Sequence, residues 1–361
     1  MSEVNKRIVL ATGGTGGHVF PAQAVAHDLA TQGYKVFIFS DGRGHQFQDP
    51  SIITVKIEAS QLQGSISKKL QGSLKLIKGI GSALYHLRHL KPQGVVGFGG
   101  YASLPTIMAS EMLRLPTIIH QADAYFGRTN RILAPFATRI ATSFPHVENI
   151  PASCKGKVSF TGLPVRSDIQ PSSYIPSIEN DPFHLLVTGG SQGAKVFGEI
   201  IPQAVHLLDP SIQKRLYITQ QCRVESLGLT QALYKQTQAH VELSPFLDQM
   251  GERYKKAHFI IARAGASSII ETALVGRPAL FIPYPHAMDN HQFYNAQQVI
   301  NVEGGWLMQE KELTSQRLAS FLLEMITSHW KLMQAAANIR TIVVPDASIR
   351  LANLVRLMTT D

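Results

Sequence analysis

A short apolar run that ends in a cluster of glycines occurs twice in this chain, about half its length apart, and this repeat limits the fold more than any other feature. The first run, Ile8-Val9-Leu10-Ala11-Thr12, leads into Gly13-Gly14-Thr15-Gly16-Gly17-His18. The second, Phe183-His184-Leu185-Leu186-Val187-Thr188, leads into Gly189-Gly190-Ser191-Gln192-Gly193-Ala194-Lys195. Helix-patterned sequence follows each, over residues 21–29 and 196–208. A strand, a glycine turn and a helix start bring backbone N–H groups and the positive end of a helix dipole to one point, which suits a phosphate. Two such loops imply two half-chains, each built to hold phosphate: one for a diphosphate-bearing donor, the other for a diphosphate-bearing acceptor.

Strand-like segments at 7–11, 35–39, 52–57, 94–98, 117–120, 139–142 and 157–161 alternate with helix-patterned sequence. The turn-rich stretch 171–176 reads as a linker, and the pattern restarts at Phe183, with strands near 215–219, 240–243, 259–262 and 279–282. That alternation predicts an α/β chain with two parallel sheets, each carrying helices on both faces. At 361 residues and 44% hydrophobic content the chain can fill two cores of ordinary domain size. The two cysteines, Cys154 and Cys222, form no metal-ligand spacing and suggest neither a disulfide framework nor a zinc site, which fits a reducing compartment. Polar residues 2–5 run straight into the first strand, so no signal peptide is expected, and the apolar runs are too short to cross a bilayer.

The net charge of +9 is unevenly placed, because residues 61–110 hold no Asp or Glu but carry Lys68, Lys69, Lys75, Lys78, Arg88 and Lys91. Leu70, Leu74, Ile77, Ile80, Ala83, Leu84 and Leu87 recur there at three- and four-residue spacings. The segment reads either as a basic amphipathic helix for an anionic membrane surface or as a surface helix whose apolar face belongs to the core. Nucleic acid is not favoured, since no aromatic ladder or helix-turn-helix pattern accompanies the charge.

In open parallel sheets ligands collect where strands end and helices begin. Residues 259–262 are followed by Arg263-Ala264-Gly265-Ala266-Ser267-Ser268-Ile269-Ile270-Glu271, a small-residue turn into a helix with a carboxylate in its second turn. Residues 279–282 are followed by Pro283-Tyr284-Pro285-His286-Ala287-Met288-Asp289-Asn290-His291-Gln292, then Asn295, whose amides suit sugar hydroxyls.

With Gly97-Phe98-Gly99-Gly100-Tyr101-Ala102-Ser103 and Gly162-Leu163-Pro164-Val165-Arg166 added, six motifs stand in order. On them the chain resembles, over nearly its whole length, the MurG family of bacterial peptidoglycan N-acetylglucosaminyltransferases in glycosyltransferase family 28. The resemblance implies a GT-B fold, two Rossmann-like parallel-sheet domains facing across a cleft. Residues 1–163 would form the acceptor and membrane-facing domain, with a C-terminal helix at about 345–361 packing back on it, and 164–344 the UDP-GlcNAc domain. It implies transfer of GlcNAc from UDP-GlcNAc to lipid I, an undecaprenyl-diphosphate muramyl peptide, by a peripheral enzyme on the cytoplasmic face of the cell membrane.

Carried over position by position, the resemblance gives Ser191 and the start of the 266–270 helix (Ala266, Ser267, Ser268, Ile269, Ile270) to the donor diphosphate, with Arg166. Glu271 falls to the ribose, the Leu247 backbone to the uracil edge, and Gln292 with Asn295 to the GlcNAc hydroxyls. Gly14, Thr15, Gly16, His18, Gly99, Gly100 and Tyr101 fall to the acceptor diphosphate, and Thr15, Gly16 and Gly17 also border the donor. Lys68, Lys69, Leu74, Lys75, Ile77 and Lys78 fall to the membrane face. Simpler roles stand beside these: Ser191 as a helix cap, Glu271 as a solvated helix residue, Leu247 as core, Gln292 and Asn295 as loop polar residues, Arg166 as a partner of Asp168.

His18 is the sharpest candidate base, because an imidazole titrates near neutrality; its other role is to bond phosphate. Where the family usually reads His-Glu-Gln-Asn this chain has His120-Gln121-Ala122-Asp123, which makes Asp123 an alternative base, a partner of His18, or a donor contact that accepts hydrogen bonds without donating them. No Asp-x-Asp motif provides for a built-in metal, so no cofactor is expected beyond a stimulating divalent cation. A nicotinamide dehydrogenase, with Asp41 as the ribose acid, is disfavoured by Val19 at the third glycine position, and a Walker ATPase by the placing of Lys195. Another GT-B enzyme, either a glycolipid glycosyltransferase or a UDP-GlcNAc 2-epimerase, and a non-catalytic sugar-nucleotide binder remain as alternatives.

Overall fold

The structure is a computed structural model that describes residues 6–13, 16–42, 52–59, 66–190 and 193–360, with the side chains of 66–70 and 360 left aside. Gly14, Thr15, Ser191 and the side chains of Lys68 and Lys69 therefore lie outside the described residues. The chain divides into two compact units, Met1–Arg166 with Val344–Asp361, and Ser167–Val343.

The first unit begins with β1 (Arg7–Ala11), α1 (Gly16–Thr31), β2 (Lys35–Ser40), β3 (Ile53–Lys56) and α2 (Ile66–Leu90). It continues through β4 (Gly94–Gly97), α3 (Gly100–Met112), β5 (Thr117–Gln121), α4 (Arg128–Leu133), β6 (Arg139–Thr142) and β7 (Val158–Phe160). The described strands pair in parallel in the order β3-β2-β1-β4-β5-β6-β7. Because side chains alternate along a strand, Ile8 and Leu10 of β1 enter one core and Val9 enters the other. A strand buried on both faces has to be a continuous apolar run, which is why β1 was visible in the sequence.

The second unit contains β8 (Phe183–Thr188), α5 (Lys195–His206), α6 (Pro210–Arg215), β9 (Leu216–Gln221), α7 (Leu227–Tyr234), β10 (His240–Ser244) and α8 (Met250–Lys256). There follow β11 (Phe259–Ala262), α9 (Ala266–Val275), β12 (Ala279–Phe281), α10 (His291–Ile300), β13 (Trp306–Leu307), α11 (Ser315–Thr327) and α12 (His329–Ile339). Its strands are again parallel, in the order β10-β9-β8-β11-β12-β13. Phe197 and Ile201 of α5 pack with Leu318 and Leu322 of α11 and with Phe183, Leu185 and Val187 of β8. Each fully buried side chain of this size contributes about 1.5–3 kcal/mol.

The last helix, α13 (Ala347–Thr360), belongs to the first unit. Its Leu351, Ala352, Val355 and Met358 are buried with Ala22, Val25, Ala26 and Leu29 of α1 and with Ile8 and Leu10 of β1.

The basic segment divides between the two roles open to it. Leu76, Ile80, Ala83, Leu84 and Leu87 of α2 enter the core, whereas Leu74 and Ile77 are 54% and 65% exposed beside the exposed Lys75 and Lys78. No helix among the described residues is long and apolar enough to cross a membrane.

Candidate active site

In the first unit β1 and β4 are neighbours, so the loops at their carboxyl ends meet. Gly99 and Gly100 take φ values of 86° and 69°, left-handed conformations that glycine adopts without strain. A Cβ on Gly99 would stand 3.5 Å from His18 Cε1, and one on Gly100 3.4 Å from His18 Cδ2, so the imidazole rests on this bare backbone. Thr12 Oγ1 donates to the His18 carbonyl at 2.9 Å, and Ser103 Oγ donates to the Gly99 carbonyl at 3.0 Å. Gly99 precedes α3 with no side-chain cap, leaving that helix start to present backbone N–H groups, with Tyr101 in its first turn.

Behind them, at the end of β5, His120 is buried against Phe98 at 5.5 Å, with Nε2 3.2 Å from Ser143 Oγ. Burial pulls its pKa down from 6.5 to about 4; a hydrogen bond with the Gly162 backbone opposes this, and the nearby His18 adds to it. The imidazole is thus neutral at pH 7.

Gln121 explains its own departure from the family pattern. Its Nε2 donates to the carbonyls of Asp123 and Tyr125, both at 2.9 Å, while its Oε1 accepts from Asn130 Nδ2 at 2.9 Å and Gly127 N at 3.2 Å. Only an amide both donates and accepts in this way. It fixes the backbone on which the half-buried Asp123 stands. Arg166 lies with its guanidinium 5.1 Å from the centre of the Phe20 ring of α1, a cation–π contact that brings it to the helix carrying His18.

In the second unit the neighbouring pair is β8 and β11. Gly190 and Gly193 have φ of 76° and 67°, and a Cβ on Gly189 would stand 2.2 Å from the Ala194 backbone nitrogen, so the turn closes only with glycine at 189. Gln221, at the end of β9, accepts from Thr188 Oγ1 and Gly189 N at 3.1 Å each and donates to the Pro245 carbonyl at 3.4 Å. It thereby ties the glycine turn to the stretch that carries the buried Leu247.

Gly265 precedes α9, again without a side-chain cap. The Ile269 N–H is already donated to the Gly265 carbonyl at 3.0 Å, so the helix start offers the N–H groups of Ala266, Ser267 and Ser268. Ile269 and Ile270 are buried anchors. Glu271 is 8% exposed and its Oε2 accepts from Tyr254 Oη at 3.2 Å, which makes it a held carboxylate rather than a solvated one. Asn295 is fully buried and donates to the Ala264 carbonyl at 3.1 Å, ordering the β11–α9 turn from α10. Gln292 Oε1 accepts from Tyr284 N at 2.9 Å. Asp289 and Asn290, with φ of 52° and 54°, turn the chain between Tyr284 and Gln292.

Sequence reasoning missed Arg263, Glu310 and Gln121 as organisers and passed over Gln221. A polar residue in the last position of a buried strand was the available signal for the two glutamines. Arg263 and Glu310 are far apart in sequence, and no local pattern joins them. A recess of about 240 Å³ lined by His184, Tyr217, Glu242, Arg253 and Lys256 lies toward the amino ends of β8 and β9, away from all these loops. Among the described residues no group of three or more His, Cys, Asp or Glu is placed to hold a metal ion.

Two Rossmann-like parallel-sheet domains with uncapped helix starts at the carboxyl edges are the parts of a GT-B glycosyltransferase. The chain belongs to glycosyltransferase family 28: the model of the family's N-terminal domain matches residues 8–142 and that of its C-terminal domain residues 184–350. It is 43% identical, over 96% of its length and 91% of the relative's, to the UDP-N-acetylglucosamine--N-acetylmuramyl-(pentapeptide) pyrophosphoryl-undecaprenol N-acetylglucosamine transferase of Rhodospirillum rubrum. The crystal structure of Acinetobacter baumannii MurG superimposes with a TM-score of 0.78 at 29% identity, covering 98% of this chain and 99% of the other. CalG4, the calicheamicin glycosyltransferase, gives 0.68 at 13% identity with 99% of each chain covered, a likeness of fold alone.

Proposed function

We propose that this enzyme transfers N-acetylglucosamine from UDP-GlcNAc to the muramyl sugar of lipid I, the undecaprenyl-diphosphate-linked muramyl peptide, giving lipid II. The observation that carries the reading is the full-length similarity to transferases named for that reaction, joined to two pairs of neighbouring uncapped helix starts. One pair suits each diphosphate.

In the donor site the α9 start and the Gly189-Gly190 turn, with Ser191 and Arg166, hold the UDP diphosphate. Glu271 accepts from the ribose hydroxyls, the Leu247 backbone reads the uracil edge, and Gln292 faces the sugar with Asn295 behind it. In the acceptor site the first glycine loop, Gly14 to Gly17, and Gly99-Gly100-Tyr101 hold the acceptor diphosphate. The acceptor hydroxyl oxygen bonds to the sugar's anomeric carbon as the bond from that carbon to the UDP oxygen breaks, with inversion. The hydroxyl proton goes to His18, resting on Gly99-Gly100; Asp123 is the alternative base. The negative charge leaving with UDP is met by fixed N–H dipoles and Arg166.

The exposed Leu74 and Ile77 among Lys75 and Lys78, with Lys68 and Lys69 on the preceding turn, support peripheral attachment to an anionic membrane on the cytoplasmic face, where the lipid acceptor is presented. The test is product analysis with purified enzyme, a short-chain lipid I analogue and a panel of UDP-sugars. A β-linked GlcNAc product from UDP-GlcNAc is expected; donor turnover without transfer to the analogue, or interconversion of the free UDP-sugar, overturns the reading.

A further inference from the structure

We infer that Arg263 is the positioning residue for the sugar end of the donor site, and that it works as a clamp completed by Glu310; this rests on the second unit being the UDP-GlcNAc site. Arg263 follows β11 and opens the turn into α9. Its guanidinium is 9% exposed and engages every neighbouring segment at that edge. One nitrogen, Nη1, donates to the Ile282 and Pro283 carbonyls at 3.2 Å each, so it fixes the exit of β12. The other, Nη2, pairs with the Glu310 carboxylate beyond β13. The face of the guanidinium lies 4.9 Å from the centre of the Phe197 ring, in the first turn of the helix behind the Gly189-Gly190 loop, and 5.5 Å from that of Tyr284.

Tyr284 is where this clamp reaches the ligand side. Its backbone N–H holds Gln292 Oε1, so a shift of the β12–α10 loop is passed directly to Gln292. The uridine contacts assigned to Glu271 and Leu247 stand on other supports, Tyr254 for the first and the Gln221–Pro245 tie for the second. Loosening Arg263 should therefore disturb sugar recognition while sparing the nucleotide. A lysine keeps the charge but loses the planar fork and the stacking on two rings.

The experiment compares Arg263→Lys, Glu310→Ala and Glu310→Gln with the wild type by UDP calorimetry, by steady-state kinetics with UDP-GlcNAc and UDP-glucose, and by thermal melting. Arg263→Lys and Glu310→Ala are expected to raise the KM for UDP-GlcNAc about tenfold and to cut the kcat/KM preference for UDP-GlcNAc over UDP-glucose by a similar factor. UDP affinity should stay within about threefold, and Glu310→Gln, which still accepts a hydrogen bond, should restore the preference. Unchanged preference in both loosened variants overturns the inference, as does an equal loss of UDP affinity and sugar preference, which would make the clamp general scaffolding. Should Arg263→Lys not fold, Glu310→Ala decides by the same measures. A wild type that binds no UDP overturns the donor-site reading itself, a result separate from either.

Discussion

The two carboxyl edges of this enzyme are assembled from the same parts and finished with opposite chemistry. In each, two adjacent parallel strands end in glycine turns that open uncapped helices, α1 and α3 in the first unit, α5 and α9 in the second. The side chain shared between the loops differs. In the first unit it is the imidazole of His18 against Gly99 and Gly100, with a neutral His120 behind it; in the second it is the guanidinium of Arg263 over Phe197 and Tyr284. A group that exchanges a proton near neutrality stands where a hydroxyl is to be activated, and a group that never does stands where a charged nucleotide sugar is to be held still. The frame fixes where a diphosphate can sit, and one side chain per edge decides what happens to it.

The hardest test of that contrast is His18→Ala. As a base, His18 predicts turnover lower by about a hundredfold or more with UDP affinity kept. A phosphate-holding His18 would instead raise the acceptor KM with saturated turnover largely intact. Asp123→Asn sharpens the result: if it abolishes turnover while His18→Ala is mild, the proton goes to Asp123 and the contrast moves to β5.

Acid stability probes the same edge. Burial holds the folded-state pKa of His120 near 4 against 6.5, so the unfolded chain takes up the proton first. Stability present above pH 6.5 should fall as pH drops toward 4 and change no further from this group below that, a loss on the order of 3 kcal/mol. Urea unfolding at several pH values should show that slope in the wild type and a flatter one in His120→Gln.

At the second edge Glu271→Ala should weaken UDP binding by about 1–3 kcal/mol through lost ribose hydrogen bonds, with the acceptor KM unchanged. Equal effects on donor and acceptor, measured by calorimetry and kinetics, would erase the division of labour between the edges. The smallest effect concerns α2: replacing Lys75 and Lys78 by Gln should cost about 1 kcal/mol each in binding to anionic vesicles, fading with salt, and leave a soluble acceptor analogue unaffected.

Much of this frame was legible in the sequence because buried parallel strands must be apolar runs and glycine turns must be glycine. The start of α1 was not, since Gly16-Gly17-His18 has poor helix propensity and Pro21 imitates a first helical residue, yet the helix runs from Gly16 with Pro21 inside it. Strand β13 escaped notice because two residues, Trp306 and Leu307, carry no periodicity. The site motifs were readable as strand-to-turn transitions, but the groups that hold them, Gln121, Gln221 and the Arg263–Glu310 pair, act across distances that one-dimensional patterns do not record. Asn295, read as a ligand contact, is buried and supports the turn at Ala264.

The placement of α13 bears on how the molecule is made. Leu351 and Val355 complete the core around Ile8 and Leu10, so the half of the chain that leaves the ribosome first lacks part of its interior until residues 347–360 follow. The second unit, continuous from Ser167 to Val343, needs nothing synthesised later and is free to fold first. During synthesis the nascent first sheet therefore waits with one apolar face open, and the order of translation is the reverse of the order of folding.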